Sequence, residues 1–81
     1  MSFRELDVVV LERDLPASGL RKCDLGTLVH VHEPGMFEVE FVRAGGGTTA
    51  LLTLSERDVR AVDDGDQLAV RPLGPGKRPG S

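Results

Sequence analysis

The 81-residue sequence predicts a small all-β domain, a barrel of five short strands with room for a sixth. Two observations lead there. Residues 28–32 and 37–42 alternate apolar and polar side chains with period two, and a Pro34-Gly35 turn signal separates them. A third run, residues 48–54, follows the turn Ala44-Gly45-Gly46-Gly47 and presents its apolar residues in the same phase.

The register follows by hand. With Glu33, Pro34 and Gly35 as the hairpin loop, Val31 faces Phe37, Val29 faces Val39 and Thr27 faces Phe41 on the inner side. His30 then falls opposite Glu38, and Leu28 opposite Glu40, on the outer side. A two-residue loop would set Val31 against Glu38 and turn one strand inside out, so the three-residue loop is preferred. Across the next turn, Phe41 faces Ala50, Val39 faces Leu52 and Phe37 faces Leu54. Two loop lengths thus converge on one core.

The remaining elements fall into place around that meander. Phe3 and Leu6 lead in and dock onto the barrel. Residues 7–12 (D-V-V-V-L-E) form the first strand, β-branched and bounded by charges. Residues 13–22 are a loop punctuated by Asp14, Pro16 and Gly19, with Leu15 and Leu20 as its anchors. Cys23 and Asp24 open the second strand, in which Gly26 marks a bulge or a close backbone approach. Ser55-Glu56-Arg57-Asp58 is a single 3-10 turn before a fifth strand at 59–62. Asp63-Asp64-Gly65-Asp66 is a turn, and residues 67–71 supply the sixth strand if there is one. The domain therefore spans residues 1–71, and residues 72–81 have the Gly/Pro-rich composition of a disordered tail.

Five short strands, a long first loop and a 3-10 turn before the last strand resemble an SH3-like barrel. The pattern D-V-V-V-L, D-L-P, D-L-G-T-L-V-H-V, F-E-V-E-F, L-L-T-L and D-V-R is similar to a family of small bacterial proteins known only as a domain of unknown function. The likeness covers roughly residues 4–62. Members usually carry Gly before the Asp of a G-D-x-G-T motif, where this chain has Cys23. No catalytic residues come with the family. A more distant likeness, through G-D-x-G-T-V, is to KOW-type and nitrile-hydratase-associated barrels, where the motif reports construction rather than chemistry.

Composition narrows the function. Net charge is −3, and setting aside the three basic residues Arg71, Lys77 and Arg78 leaves −6 on the rest. An acidic body is not what a phosphate-tracking surface needs, so nucleic acid is not the expected partner. The three aromatic residues are all Phe, which excludes the Tyr/Trp platforms of proline-peptide grooves and methyl-lysine cages. A single cysteine excludes an intrachain disulfide, and no apolar run is long enough to span a bilayer. A cytoplasmic protein without membrane contact is expected.

Candidate chemistry is sparse. His30 and His32 share one outer face with Glu38, yet two imidazoles and a carboxylate imply no closed coordination sphere. Asp7, Asp14 and Asp24, and the group Asp63, Asp64 and Asp66, read as turn residues rather than calcium ligands. Cys23 has no histidine positioned by sequence to serve it, and Ser55 and Thr27 belong to no triad pattern. No catalytic residue, cofactor or metal is expected.

The outer face is more informative, with Leu28, His30, Glu38, Glu40, Val42 and Leu51 as the candidate interaction face. Its aliphatics call for a cover, by residues 67–71 in cis, by a second copy, or by another protein. The expected function is a non-catalytic protein-interaction module, contacting its partner through that face or through an exposed strand edge. Size and charge suit an antitoxin, immunity or enzyme-accessory protein. One alternative is a KOW-like nucleic-acid binder using Arg13, Arg21, Lys22 and Arg43; another is a metal- or thiol-dependent protein using Cys23, His30 and His32.

Overall fold

A computed structural model describes residues 3–33 and 35–73. The chain is all-β, as expected: β1 (Val8–Leu11), β2 (Leu25–Glu33), β3 (Met36–Val42), β4 (Thr48–Ser55) and β5 (Val59–Ala61). They form one antiparallel sheet in the order β4-β3-β2-β1-β5. β4 and β5 do not pair, so the sheet is not closed into the expected barrel and both strands are edges. The turn before β5 closes with one i→i+3 bond, Asp58 N–H to Ser55 O at 2.9 Å. A 3-10 helix, Pro16–Ser18, also forms inside the loop between β1 and β2. Leu15 and Leu20 bridge that loop and anchor it, Leu20 being buried.

The β3–β4 register is the expected one, with Phe37 opposite Leu54, Val39 opposite Leu52 and Phe41 opposite Ala50. Its phase needs no adjustment until a shift between Phe41 and Val42 near the turn.

The β2–β3 register is only half as expected. Val31 faces Phe37 and His30 faces Glu38, but Leu28 faces Val39 and Thr27 faces Glu40. A bulge at Val29 inserts one extra residue between Leu28 and His30, and the inner set of β2 changes phase there. A second shift, between Val31 and Glu33, lets Glu33 pair with Met36, so the three-residue loop is replaced by a tighter connection that still keeps Val31 on Phe37. Gly35 sits in that connection at φ 84°, a left-handed value glycine adopts freely.

Leu28 is consequently fully buried and belongs to the core, not to the outer face where we expected it. The reason is steric. A methyl group on Gly26 would lie 2.6 Å from Val39 Cγ1 and 2.7 Å from Phe41 Cε2. Only glycine fits against those two side chains, and with Gly26 there, Leu28 rather than Val29 turns inward two residues later. The core cluster is Val9, Leu11, Leu20, Leu28, Phe37, Val39, Phe41, Leu54 and Val59, with Phe3 packed on it edge-to-face against Phe37 at 5.2 Å. Leu6 does not dock as expected. Its N–H donates to Leu28 O, but its side chain is exposed and its φ is 73°.

The aspartates are turn devices. In four separate turns an Asp at the fourth position donates its N–H to the first residue's carbonyl and accepts that residue's N–H on its carboxylate. The pairs are Arg4 with Asp7, Arg21 with Asp24, Ser55 with Asp58, and Asp63 with Asp66. Asp14 instead accepts the Lys22 N–H across the long loop. The sixth strand does not form: residues 67–71 pair with no strand, and Arg71 makes a two-pronged ion pair with Asp24 and donates to Gly19 O. Residues 74–81 of the expected tail lie outside the described residues.

Three outcomes test this architecture. Leu28→Ala should cost about 2–5 kcal/mol in denaturant unfolding, against less than about 1 kcal/mol for Val29→Ala. The reverse order would restore the unbulged register. Cys23 holds φ 80°, a left-handed conformation costly for a residue with a Cβ. Cys23→Gly should therefore raise stability by about 1 kcal/mol, and a lowered unfolding midpoint would contradict the assigned geometry. Finally, the side-chain hydrogen bond from Arg60 draws the Asp66 carboxyl down to about 2. A folded-state value below the unfolded one adds stability above pH 4 that disappears as pH falls through it. The unfolding midpoint should be flat above about pH 5 and fall between about pH 4 and pH 2. Asp66→Asn should start lower at neutral pH and fall less steeply in acid; an unchanged acid limb would remove Asp66 from the linkage.

Candidate functional site

The two edges of the sheet are unlike. β5 is three residues long, and its central Arg60 is bound by Asp66 at 2.8 Å and by Glu12 at 3.5 Å. Short, charged edges resist pairing. β4 is eight residues long and reads T-T-A-L-L-T-L-S, without a charge or a proline. Nothing in its sequence guards it.

The hydrogen-bond phase says which of its backbone groups are free. Glu56 N–H donates to Gly35 O at 2.9 Å, which makes that pair a bonded one. Bonded and non-bonded pairs alternate along an antiparallel ladder, so Leu54 and Leu52 bond to Phe37 and Val39. Ser55, Thr53 and Leu51 therefore turn their N–H and C=O away from β3. Ser55 is satisfied locally, since its N–H reaches Asp58 Oδ2 at 2.9 Å and its carbonyl takes the Asp58 N–H. Leu51 and Thr53 have no such partner among the described residues, and both are exposed. That leaves a short open rung of backbone, closed at one end by the Asp58 turn and bounded at the other by the shift near Val42.

A groove of about 330 Å³ runs beside this rung, between β4 (Leu52, Thr53, Leu54) and the long loop from Arg13 to Ser18. Leu15 and Pro16 form its apolar wall. Leu52 and Leu54 point inward while Thr53 points outward, so the groove opens onto the edge itself. The loop wall is fastened: Arg13 Nε donates to Asp58 Oδ1 at 2.7 Å, and that bond holds the Asp58 carboxyl below its ordinary range despite partial burial. On the loop's far side Asp24 is partly buried, which alone would raise its pKa, but the hydrogen bonds from Arg71 and Arg21 lower it on balance. Both acids stay ionised, and both hold the loop.

Of the six residues expected on the outer face, five are there and Leu28 is in the core. Val42 is 57 % and Leu51 53 % exposed, so residues 67–71 do not cover them. Glu40 lies opposite Leu51 and accepts the Thr48 hydroxyl at 2.7 Å, which leans its carboxylate toward β4. His30 lies opposite Glu38 in register, yet Glu38 bonds His32 at 3.0 Å, while His30 faces Glu5 at 3.6 Å. The two imidazoles stack edge-to-face at 4.7 Å. Glu5 was not anticipated, because nothing in its sequence context places the lead-in beside β2.

The other candidate sets are dispersed. Cys23 is exposed in the turn ahead of β2, and among the described residues no three His, Cys, Asp or Glu side chains gather as metal ligands. Arg13 is committed to Asp58, Arg21 and Lys22 sit at the end of the long loop, and Arg43 folds over Gly47 in the β3–β4 turn. No helix among the described residues is long and apolar enough to cross a membrane.

Comparison with curated proteins and with solved structures yields no match. A family model does match, over residues 5–61, a span that holds all five strands, the long loop and the open rung of β4. By that match the chain belongs to DUF4926, a domain of unknown function.

Proposed function

We propose that this chain is a non-catalytic protein-interaction module that takes an extended segment of its partner onto the open edge of β4. The observation that carries the reading is the pair of unpartnered backbone rungs at Leu51 and Thr53, on an uncharged strand flanked by the apolar groove of Leu15, Pro16, Leu52 and Leu54. Strand addition draws affinity from main-chain bonds and specificity from alternate side-chain pockets, and this edge offers both. The meander order, with β5 returned beside β1, supports an SH3-like relationship. An antitoxin, immunity or enzyme-accessory role fits a small acidic module of this kind, and the lone exposed thiol of Cys23 suits the reducing cytoplasm.

Thr53→Pro tests the reading directly. Thr53 N–H points away from β3, so proline there removes no ladder bond of the native sheet but blocks an added strand. A partner recovered from lysate in stoichiometric amount by the wild-type chain should be lost at least tenfold from the variant, with circular dichroism unchanged. Equal recovery by both would place the contact elsewhere.

A further inference from the structure

The partner's chemistry can be read from what surrounds the edge, on the footing of the strand-addition reading above. Strands β2, β3 and β4 together carry three carboxylates, Glu33, Glu38 and Glu40, and no Lys or Arg. Glu38 and Glu40 stand on the outer face directly across from Thr53 and Leu51, the two residues whose backbone groups are open. The inner side of the same edge is the groove, mostly apolar, with Arg13, held by Asp58, and Asp14 also in its lining. An added strand would thus meet two different surfaces on its two faces.

We propose that the β4 edge selects an extended segment that alternates apolar with basic residues. The apolar side chains enter the groove against Leu52, Leu54, Leu15 and Pro16. The Lys or Arg side chains lie on the outer face, cross Leu51 or Thr53, and reach the carboxylates of Glu40 and Glu38. The geometry suits long cationic side chains: adjacent strands are about 4.8 Å apart, so the added strand lies about 10 Å from β3, a gap spanned jointly by an extended Lys or Arg and a Glu. Glu40 already leans that way toward Thr48, whereas Glu38 bonds His32 on β2 at 3.0 Å, so Glu40 is the nearer anchor and Glu38 adds charge behind it.

A second copy of this chain is the less favoured occupant on the same ground. Its own β4 brings no charge to face Glu38 and Glu40, and its sheet brings three further carboxylates toward them. The excess negative charge of the protein adds long-range attraction for a basic segment, strongest at low salt.

Selection from a random ten-residue peptide library displayed on phage, with the full chain as bait, reads the preference. The expected winners alternate Val, Ile or Leu with Lys or Arg. Their synthetic forms should bind less tightly to Glu38→Gln and Glu40→Gln by roughly two- to five-fold each, the worth of a cross-strand charge pair. N-methylating alternate peptide amides on the bonded side should abolish binding, a readout that does not depend on how any protein variant folds. Winners that are neutral or acidic, yet sensitive to N-methylation, would overturn the basic chemistry and leave strand addition standing. Winners indifferent both to N-methylation and to Thr53→Pro would overturn strand addition as well. A dimer in sedimentation velocity that Thr53→Pro dissociates would assign the edge to a second copy and overturn the inference.

Discussion

Phe41 and Val39 crowd Gly26 so closely that no side chain can occupy that position, and much of the sheet is arranged around this contact. It sets which residues of β2 turn inward near the start of the strand, while the Val31–Phe37 pair sets the phase near the hairpin. The two phases differ by one residue, and the bulge at Val29 reconciles them. Leu28 is thereby delivered to the centre of the core, where a fully buried leucine stabilises by about 2–3 kcal/mol relative to exposure. The outer face loses that leucine and keeps His30, Glu38 and Glu40, so its polarity follows from packing on the opposite side.

Charge is distributed by a similar economy. Four aspartates close turns reciprocally, and three of these (Asp24, Asp58 and Asp66) also hold an arginine. Through Arg13 and Arg71 the long loop is tied to the turn before β5 on one side and to the C-terminal segment on the other. Those bonds fix the wall of the groove, whose lining also includes Arg13 and Asp14. β5 is guarded by Arg60 with Glu12 and Asp66, whereas among the described residues β4 is guarded by nothing but the Asp58 turn at one end. Long protected loop, short charged edge and long neutral edge are therefore three consequences of where the acids sit.

Much of this was legible in the sequence, for identifiable reasons. The β3–β4 pairing could be derived because Phe37, Val39 and Phe41 admit one apolar phase and the A-G-G-G turn has a definite length. Gly26 was recognisable as a close approach, and the position of Cys23 in its motif marked a place where glycine is usual. The bulge was not derivable, because Leu28 and Val29 are both apolar and either could be inward; steric contact with β3 decides, and that contact exists only after folding. Glu5 and Arg71 act over long sequence separations on His30 and Asp24, so no local pattern announces them. The open rung of β4 had a readable sign, eight consecutive residues without charge, but its meaning required knowing that β4 is an edge.

That neutral edge bears on the solubility of the chain as well as on recognition. A strand with free backbone groups, no charge and no proline is a template on which copies can stack, and most proteins cover such a strand. Here the deterrent is colloidal. The excess of acid gives every molecule the same sign, and Glu38 and Glu40 stand one strand behind the exposed rung. Salt that screens this charge weakens the repulsion while leaving the template in place.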